Sequence, residues 1–176
     1  MYLWKNNFPW AGNMYDDFYF MKKALQEAQL AFDADEVPIG AVVVMQNKII
    51  GRGHNLTETL KDSTAHAEMM ALTAAFNYLG AKYLPEATIY ITVEPCHMCA
   101  GALFWSKIGR IVYGAPDVKH GYRKFLCTNQ EPAVKSVNQN NEKGKIEIFH
   151  PKTQLTTGIL EKECGLLMTT FFQRKR

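Results

Sequence analysis

Apolar residues near the start of the chain recur at the spacing of an amphipathic helix. Intervals of three or four residues separate Phe18, Met21, Leu25, Ala28 and Phe32. Lysine, glutamine and glutamate fill the positions between them. This period places the apolar side chains on one face, so it predicts a first helix over residues 15–33 with that face in the core.

A nearly continuous apolar run over residues 39–45 is typical of a strand that is buried on both faces. Gln46 and Asn47 turn the chain, and residues 48–52 return as a second strand of a predicted hairpin. Further short segments predict strands at Thr88–Val93, 110–113 and 145–149.

Helical segments lie between and after these strands. They are predicted at residues 65–79, where Gly80 suits a C-cap, at 95–107 and at 158–176. Strands that alternate with helices favour an α/β fold, here a three-layer α/β/α sandwich around a five-stranded mixed sheet. We expect a single domain over residues 14–176, an N-terminal extension at 1–13 and a long polar surface loop at 127–145.

Composition narrows the function only slightly. The chain has 176 residues, 47% of them hydrophobic and 21% charged, which is ordinary for a globular domain. The net charge of +3 is too small to require a nucleic acid partner, although the last four residues are basic except for Gln173. A frayed, solvated end is the simpler interpretation of that tail. The four cysteines suggest no disulfide framework, and no apolar run reaches a membrane-spanning length, so a cytoplasmic protein is expected.

The strongest chemical signal is a pair of motifs, His66-Ala67-Glu68 and Pro95-Cys96-His97-Met98-Cys99. Zinc in catalytic sites commonly takes three protein ligands and keeps a fourth position for water. His66, Cys96 and Cys99 supply one imidazole and two thiolates, and Glu68 is then free to move protons.

The spacing within each motif indicates where the residues lie on their helices. Two cysteines three residues apart share one face of a helical turn. His66 and Glu68 are two residues apart, which is about 200° around a helix, so they can share a site only at a helix mouth. Asp62, Ser63 or Thr64 is a plausible N-cap, and Pro95 suits a first turn. We therefore predict that two helix N-termini face each other across the metal.

A structural zinc site and a redox cysteine pair are the simpler alternatives. A structural site normally has a fourth protein ligand, for which His97 is the nearest candidate, but His97 lies on a different helical face from the cysteines. The combination of His-x-Glu with Pro-Cys-x-x-Cys is the signature of zinc-dependent nucleobase deaminases.

With these residues the chain resembles the bacterial tRNA-specific adenosine deaminases of the cytidine-deaminase-like superfamily, over nearly its whole length. Besides the metal motifs, the likeness extends over residues 36–42, 54–55, 110–117 and 158–172. The resemblance implies zinc-dependent deamination of adenosine to inosine at the first anticodon position of tRNA. It also implies a homodimer.

The resemblance further implies roles for individual residues. Zinc would be held by His66, Cys96 and Cys99, and Glu68 would shuttle protons. Substrate contacts are implied for Asn55, Ala67, Asp117, Lys119, Phe171, Phe172 and Arg174. Asn55 would bind the purine ring, and the aromatic pair with the basic tail would bind the anticodon loop. Gln173 departs from the family pattern, in which a basic residue often follows the two phenylalanines.

Two rival functions share the same core. A deaminase of a free base or nucleotide, such as guanine or cytosine, would have the same zinc site. An RNA-binding adaptor with a relic zinc site would not need Glu68, and the intact glutamate argues against it.

Overall fold

A computed structural model describes residues 15–124 and 148–176 of the chain. The extension at 1–13, its boundary with the domain and the polar loop at 127–145 lie outside these residues. The described elements, in chain order, are α1 (Asp17–Asp33), β1 (Gly40–Met45), β2 (Lys48–His54), α2 (Thr57–Leu60), α3 (Ala67–Leu79), β3 (Thr88–Val93), α4 (His97–Trp105), β4 (Arg110–Ala115), β5 (Gln154–Thr157) and α5 (Glu161–Arg174).

The strands form one five-stranded sheet in the order β2-β1-β3-β4-β5. β1 is antiparallel to both of its neighbours, whereas β3, β4 and β5 are parallel. β1 alone therefore runs against the others, and β2, β3 and β4 all end at the same edge of the sheet. Gln46 and Asn47 both have positive φ, 50° and 60°, as a tight hairpin turn between β1 and β2 requires.

Both faces of the sheet are covered, so the predicted three-layer mixed architecture is confirmed. Alternate residues of one strand enter different cores, because successive side chains point to opposite faces. Ala41 and Val43 pack on the side of α3 and α4, and Val42 and Val44 pack on the side of α1. α5 lies beside α1 and contributes the buried Cys164.

The position of the fifth strand corrects the sequence prediction. It lies at Gln154–Thr157, where it pairs in parallel with β4, and residues 148–149 are not in a strand. Residues 145–147 lie outside the described part. β5 is an edge strand with mostly exposed side chains, so it lacks the apolar run by which buried strands are recognised.

Two glycines of β2 bring α3 into close contact with the sheet. A Cβ atom built on Gly53 would lie 2.4 Å from the Ala67 carbonyl oxygen, and one on Gly51 would lie 2.3 Å from that of Ala71. Only glycine permits this approach of helix and strand. Among the described residues, none of the helices has the length and apolar character needed to cross a membrane.

Candidate active site

The N-termini of α3 and α4 meet beside the edge of the sheet. His66 is the N-cap residue of α3 and Cys96 is the N-cap residue of α4. Neither side chain caps its own helix, so both remain available to a ligand. Glu68 and Cys99 follow in the first turns of the two helices.

The predicted caps upstream of α3 were wrong, although the helix mouth is where it was expected. Asp62 instead accepts hydrogen bonds from the backbone N–H and hydroxyl groups of Thr64, at 2.8 and 2.7 Å, and closes the turn before the helix. Pro95 precedes the N-cap of α4 and is not in its first turn. The two helices therefore begin later than predicted, and His66 and Cys96 are the residues that precede their first turns.

The three predicted metal ligands converge. Nδ1 of His66 lies 3.6 Å from Sγ of Cys96 and 3.6 Å from Sγ of Cys99, and all three atoms lie within 4.8 Å of one another. Within residues 15–124 and 148–176, no fourth histidine, cysteine or acidic residue joins this group. A set of one nitrogen and two sulfur donors with an open fourth position fits a catalytic zinc ion.

The electrostatics of this group already favour a charged sulfur. A hydrogen bond from Cys99 and another from His66 lower the pKa of Cys96 to about 4. The hydrogen bond to Cys96 in turn raises the pKa of His66. The hydrogen bond from Cys99 to Cys96, together with burial, raises the pKa of Cys99, so the two cysteines share one negative charge while no metal is bound. A thiolate is the form of cysteine that binds metals.

Glu68 lies next to the metal ligands and is almost completely buried, with 3% of its surface exposed. Its Oε2 atom makes no hydrogen bond within the described part of the chain. Burial raises the pKa of Glu68 to about 7. A carboxyl group with a pKa near neutrality can both accept and donate a proton, so it suits general acid–base catalysis.

A cavity of about 850 Å³ opens above these groups. Its floor contains His66, Glu68 and Cys96, and the residues that follow β2, β3 and β4 form part of its wall, namely Asn55, Glu94 and Asp117. All three residues follow the carboxyl ends of strands that run in the same direction, which is where sites in α/β sheets lie.

Of the predicted substrate residues outside α5, two are buried and two lie nearer the surface of the cavity. Asn55 is buried and lines the cavity, and Ala67 is fully buried in the first turn of α3. Asp117 and Lys119 line the outer wall, where Oδ1 of Asp117 accepts the Lys119 backbone N–H at 2.9 Å. Contact of these residues with a substrate stays a prediction.

The two phenylalanines of α5 have different surroundings. Phe171 is 4% exposed and packs edge-on against Phe32, with ring centroids 5.8 Å apart, so it belongs to the core. Phe172 is 48% exposed and lines the cavity. The guanidinium of Arg174 lies over the ring of Phe32, at 5.7 Å from its centroid. Of the predicted aromatic pair, Phe172 is therefore the residue that can reach a ligand.

A face of α5 borders the cavity, and of its residues the sequence predicted only Phe172 as a substrate contact. On the helix this face consists of Met168, Thr169, Phe172 and Gln173, and Lys175 and Arg176 continue the lining just beyond its end. Helical spacing could have revealed it, because these positions recur every three to four residues beside the core-facing Cys164 and Phe171. Two buried carboxylates next to the cavity, Glu36 and Glu94, also received no role from the sequence.

Comparisons with known proteins identify the family to which the chain is similar. A family model described as MafB19-like deaminase matches residues 15–163. The chain is 41% identical over 163 residues to the tRNA-specific adenosine deaminase of Bacillus subtilis, which covers 93% of this chain and 92% of that protein. It is 42% identical over 159 residues to the chloroplastic tRNA(adenine(34)) deaminase of Arabidopsis thaliana, covering 89% of this chain but only 12% of that much longer protein.

Solved structures give the same result. A structure from a study of A-to-I editing by tRNA:A34 deaminases at the wobble position of transfer RNA has a TM-score of 0.69 and 36% identity, covering 84% of this chain and 97% of that one. A guanine deaminase from Bacillus subtilis has a lower TM-score of 0.59 and 29% identity, covering 76% and 88%. The family model and the full-length bacterial relative show that this chain belongs to the family of tRNA-specific adenosine deaminases.

Proposed function

We propose that the protein uses zinc to deaminate adenosine to inosine at the first anticodon position of tRNA. The observation that carries this proposal is the group of three metal ligands beside the buried Glu68, at the base of a cavity large enough for a nucleoside. The substrate is the one named for its relatives.

His66, Cys96 and Cys99 would hold the zinc ion. Bound zinc lowers the pKa of a water molecule from about 15.7 to about 7. Two thiolates balance the charge of the ion, so the site as a whole stays near neutrality. The absence of a fourth ligand among the described residues favours a catalytic site over the structural zinc site that the sequence left open.

Glu68 would handle the protons. The attacking water gives a proton to its carboxylate, and the oxygen adds to the purine carbon that bears the amino group. Glu68 then gives this proton to the ring nitrogen, and it takes the second proton from the newly added hydroxyl group and delivers it to the departing amine. A carbon–oxygen bond forms, the carbon–nitrogen bond breaks, and inosine and ammonia result. Burial suits Glu68 to this exchange because it brings the pKa of the carboxyl group to about 7.

The rim of the cavity is chemically complementary to an anticodon loop. Lys119, His120, Lys175 and Arg176 line it and can pair with phosphates. The exposed Phe172 can stack on an unpaired base, an interaction of about 1–3 kcal/mol. An anticodon loop presents unstacked bases, so little energy is needed to extrude the target.

A homodimer and a cytoplasmic location complete the proposal. Trp105 at the end of α4 is 73% exposed, and a large aromatic side chain in that position favours a subunit interface. Sedimentation at micromolar concentration tests the dimer, and a monomer would contradict it. Cell fractionation tests the location.

The function is tested with an anticodon stem-loop that carries adenosine at its first position. We expect inosine to form with the wild-type protein and the rate to fall at least 1,000-fold in Glu68→Gln, which keeps the shape of the side chain but cannot accept a proton. Zinc content and RNA affinity should persist. Glu86→Gln is the matched control, because Glu86 is exposed and does not line the cavity, and this variant should retain full activity.

The same assay separates the rival functions. Guanine and cytosine are offered as free bases, and turnover of either one in place of the stem-loop would replace the tRNA assignment. Full activity of Glu68→Gln would remove the assigned proton chemistry, and RNA binding without any turnover by the wild-type protein would favour the adaptor.

A further inference from the structure

Glu36 is a buried carboxylate with an unusual set of partners. None of its surface is exposed, and within the described part of the chain it forms no ion pair. Its hydrogen-bond donors all come from residues 55–59. They are the Asn55 amide at 3.1 Å, the Thr57 hydroxyl at 3.3 Å and the backbone N–H groups of Glu58 at 3.1 Å and Thr59 at 2.6 Å.

These donors keep Glu36 ionised. Burial alone would raise the pKa of this carboxyl group, but the backbone N–H groups of Glu58 and Thr59 and the hydroxyl groups outweigh that effect, and the pKa lies below its usual value. An ionised carboxylate only accepts hydrogen bonds. Any group that faces it must therefore present a donor.

This requirement settles the orientation of the Asn55 amide. Nδ2 of Asn55 must face Glu36, and its two hydrogens are directed to Glu36 and, at 3.0 Å, to the Thr57 hydroxyl oxygen. The Oδ1 atom makes no hydrogen bond with any residue in 15–124 or 148–176, and Asn55 lines the cavity. Oδ1 is thus the atom of Asn55 that remains for a ligand.

We propose that Glu36 is a positioning residue for the deamination reaction, which orients the Asn55 amide so that its Oδ1 accepts a hydrogen bond from a donor of the target nucleoside. This inference rests on the proposed function and adds a specific task for a residue that does not touch the substrate. Adenosine offers such donors at its amino group and at its ribose hydroxyls.

A purely structural role predicts a different result. If Glu36 only stabilised the turn of α2, its loss would lower the stability of the protein and would act on activity independently of Asn55. If it acts through Asn55, its loss should have little further effect once the Asn55 amide is gone.

A double-mutant cycle with Glu36→Gln and Asn55→Ala makes this distinction, with zinc-loaded protein and the adenosine stem-loop. We expect Glu36→Gln alone to lower kcat about 10- to 100-fold, because an amide in place of the carboxylate no longer fixes Asn55. KM should change less than about threefold, since phosphate contacts supply most of the RNA affinity. In the Asn55→Ala background, the same substitution should lower kcat less than about twofold.

A second variant guards against a folding defect. Thr57→Val removes the hydroxyl group that accepts from Asn55 and donates to Glu36, and should lower kcat about three- to tenfold, again only when Asn55 is present. Bound zinc and the unfolding midpoint are measured for each variant.

Equal losses with and without Asn55, for either variant, would overturn the positioning role. A wild-type protein that makes no inosine would instead refute the proposed function, so the two failures are distinguishable.

Discussion

Buried carboxylates fix two loops on opposite sides of the candidate active site, but their partners differ. Glu36 holds the Asn55 loop, residues 55–60, through neutral donors only. Glu94 holds the Asp117 loop, residues 116–124, through the backbone N–H groups of Asp117 and Arg123 and through the Arg123 guanidinium at 2.7 Å. The carboxylate that holds the first loop accepts from several neutral donors, whereas the carboxylate that holds the second loop also accepts from a cation.

The surroundings of the two carboxylates differ as well. Glu36 is completely enclosed. Glu94 is 4% exposed, but the side chain of its partner Arg123 is 50% exposed. The Asp117 loop is tied down a second time, because the Tyr122 N–H donates to the Pro95 carbonyl oxygen at 3.0 Å. The Asn55 loop is tied down further in the same way, because the Asn55 N–H donates to the Ile39 carbonyl oxygen at 3.1 Å and the Leu56 N–H donates to that of Ala65 at 3.0 Å. The comparison teaches that the two loops differ in the charge and exposure of the groups that hold their carboxylates.

The largest expected effect is the loss of stability when either buried carboxylate, Glu36 or Glu94, is removed. Glu36→Ala should lower the free energy of unfolding by about 3–5 kcal/mol, because several buried donors lose their acceptor and a cavity remains. Glu94→Ala should lower it by about 2–3 kcal/mol, because the half-exposed Arg123 can turn to water. Urea unfolding of zinc-loaded proteins measures both. Equal losses, or a larger one for Glu94→Ala, would contradict the comparison. Glu86→Ala is the exposed control.

A third carboxylate, far from the cavity, sharpens the comparison. Asp17 accepts two hydrogen bonds from Arg110, at 2.8 and 2.6 Å, and one from the Tyr90 hydroxyl at 2.9 Å. The hydrogen bond from Arg110 lowers the pKa of Asp17. We expect Asp17→Asn to lower the free energy of unfolding by about 1–2 kcal/mol at pH 7 without changing kcat.

The sign of the pH dependence follows from the lowered pKa of Asp17. Its stabilising contribution is complete above the ordinary pKa of about 3.9 and disappears as the pH falls through the lower folded-state pKa. The difference between wild type and Asp17→Asn should therefore be constant from pH 7 to 5 and shrink below pH 4. A difference that grows on acidification would mean that Arg110 does not stabilise the charged form.

The smallest effect is expected at the third side of the cavity, just beyond the end of α5. If Arg176 contacts a phosphate, Arg176→Ala should flatten the slope of log K against log salt for stem-loop binding by about 0.7–0.9. Lys162→Ala, at an exposed position near the start of α5, is the matched control and should leave the slope unchanged. An unaltered slope for both variants would remove Arg176 from the RNA surface.

Much of this architecture could be predicted from local patterns. The apolar period over α1, the buried run of β1 and the β-branched β3 all indicated the right elements, and β3 has the predicted bounds. The candidate metal ligands could be picked out because the His-x-Glu and Cys-x-x-Cys spacings are local, although their convergence depends on how α3 and α4 pack on the sheet.

The remaining features depend on tertiary contacts and could not be predicted in this way. β5 is polar and exposed, so only its pairing with β4 defines it as a strand. Glu36 is far in sequence from the loop that it holds, and a glutamate two residues before a proline looks like an ordinary turn residue. Positions 171 and 172 are both phenylalanine, so residue type cannot tell them apart. Only the packing of Phe171 against Phe32 shows which one belongs to the core and which one faces the cavity.

The close contact of Gly53 with α3 has a consequence for the metal centre. His66 begins α3 and the two cysteines belong to α4, so the separation of the ligands depends on how closely each helix lies on the shared sheet. A methyl group at Gly53 would meet the backbone of Ala67, the residue directly after His66. We therefore expect the bare backbone of this edge strand to set the distance between His66 and the two cysteines of the candidate metal site, so that metal affinity would report on the helix–sheet distance.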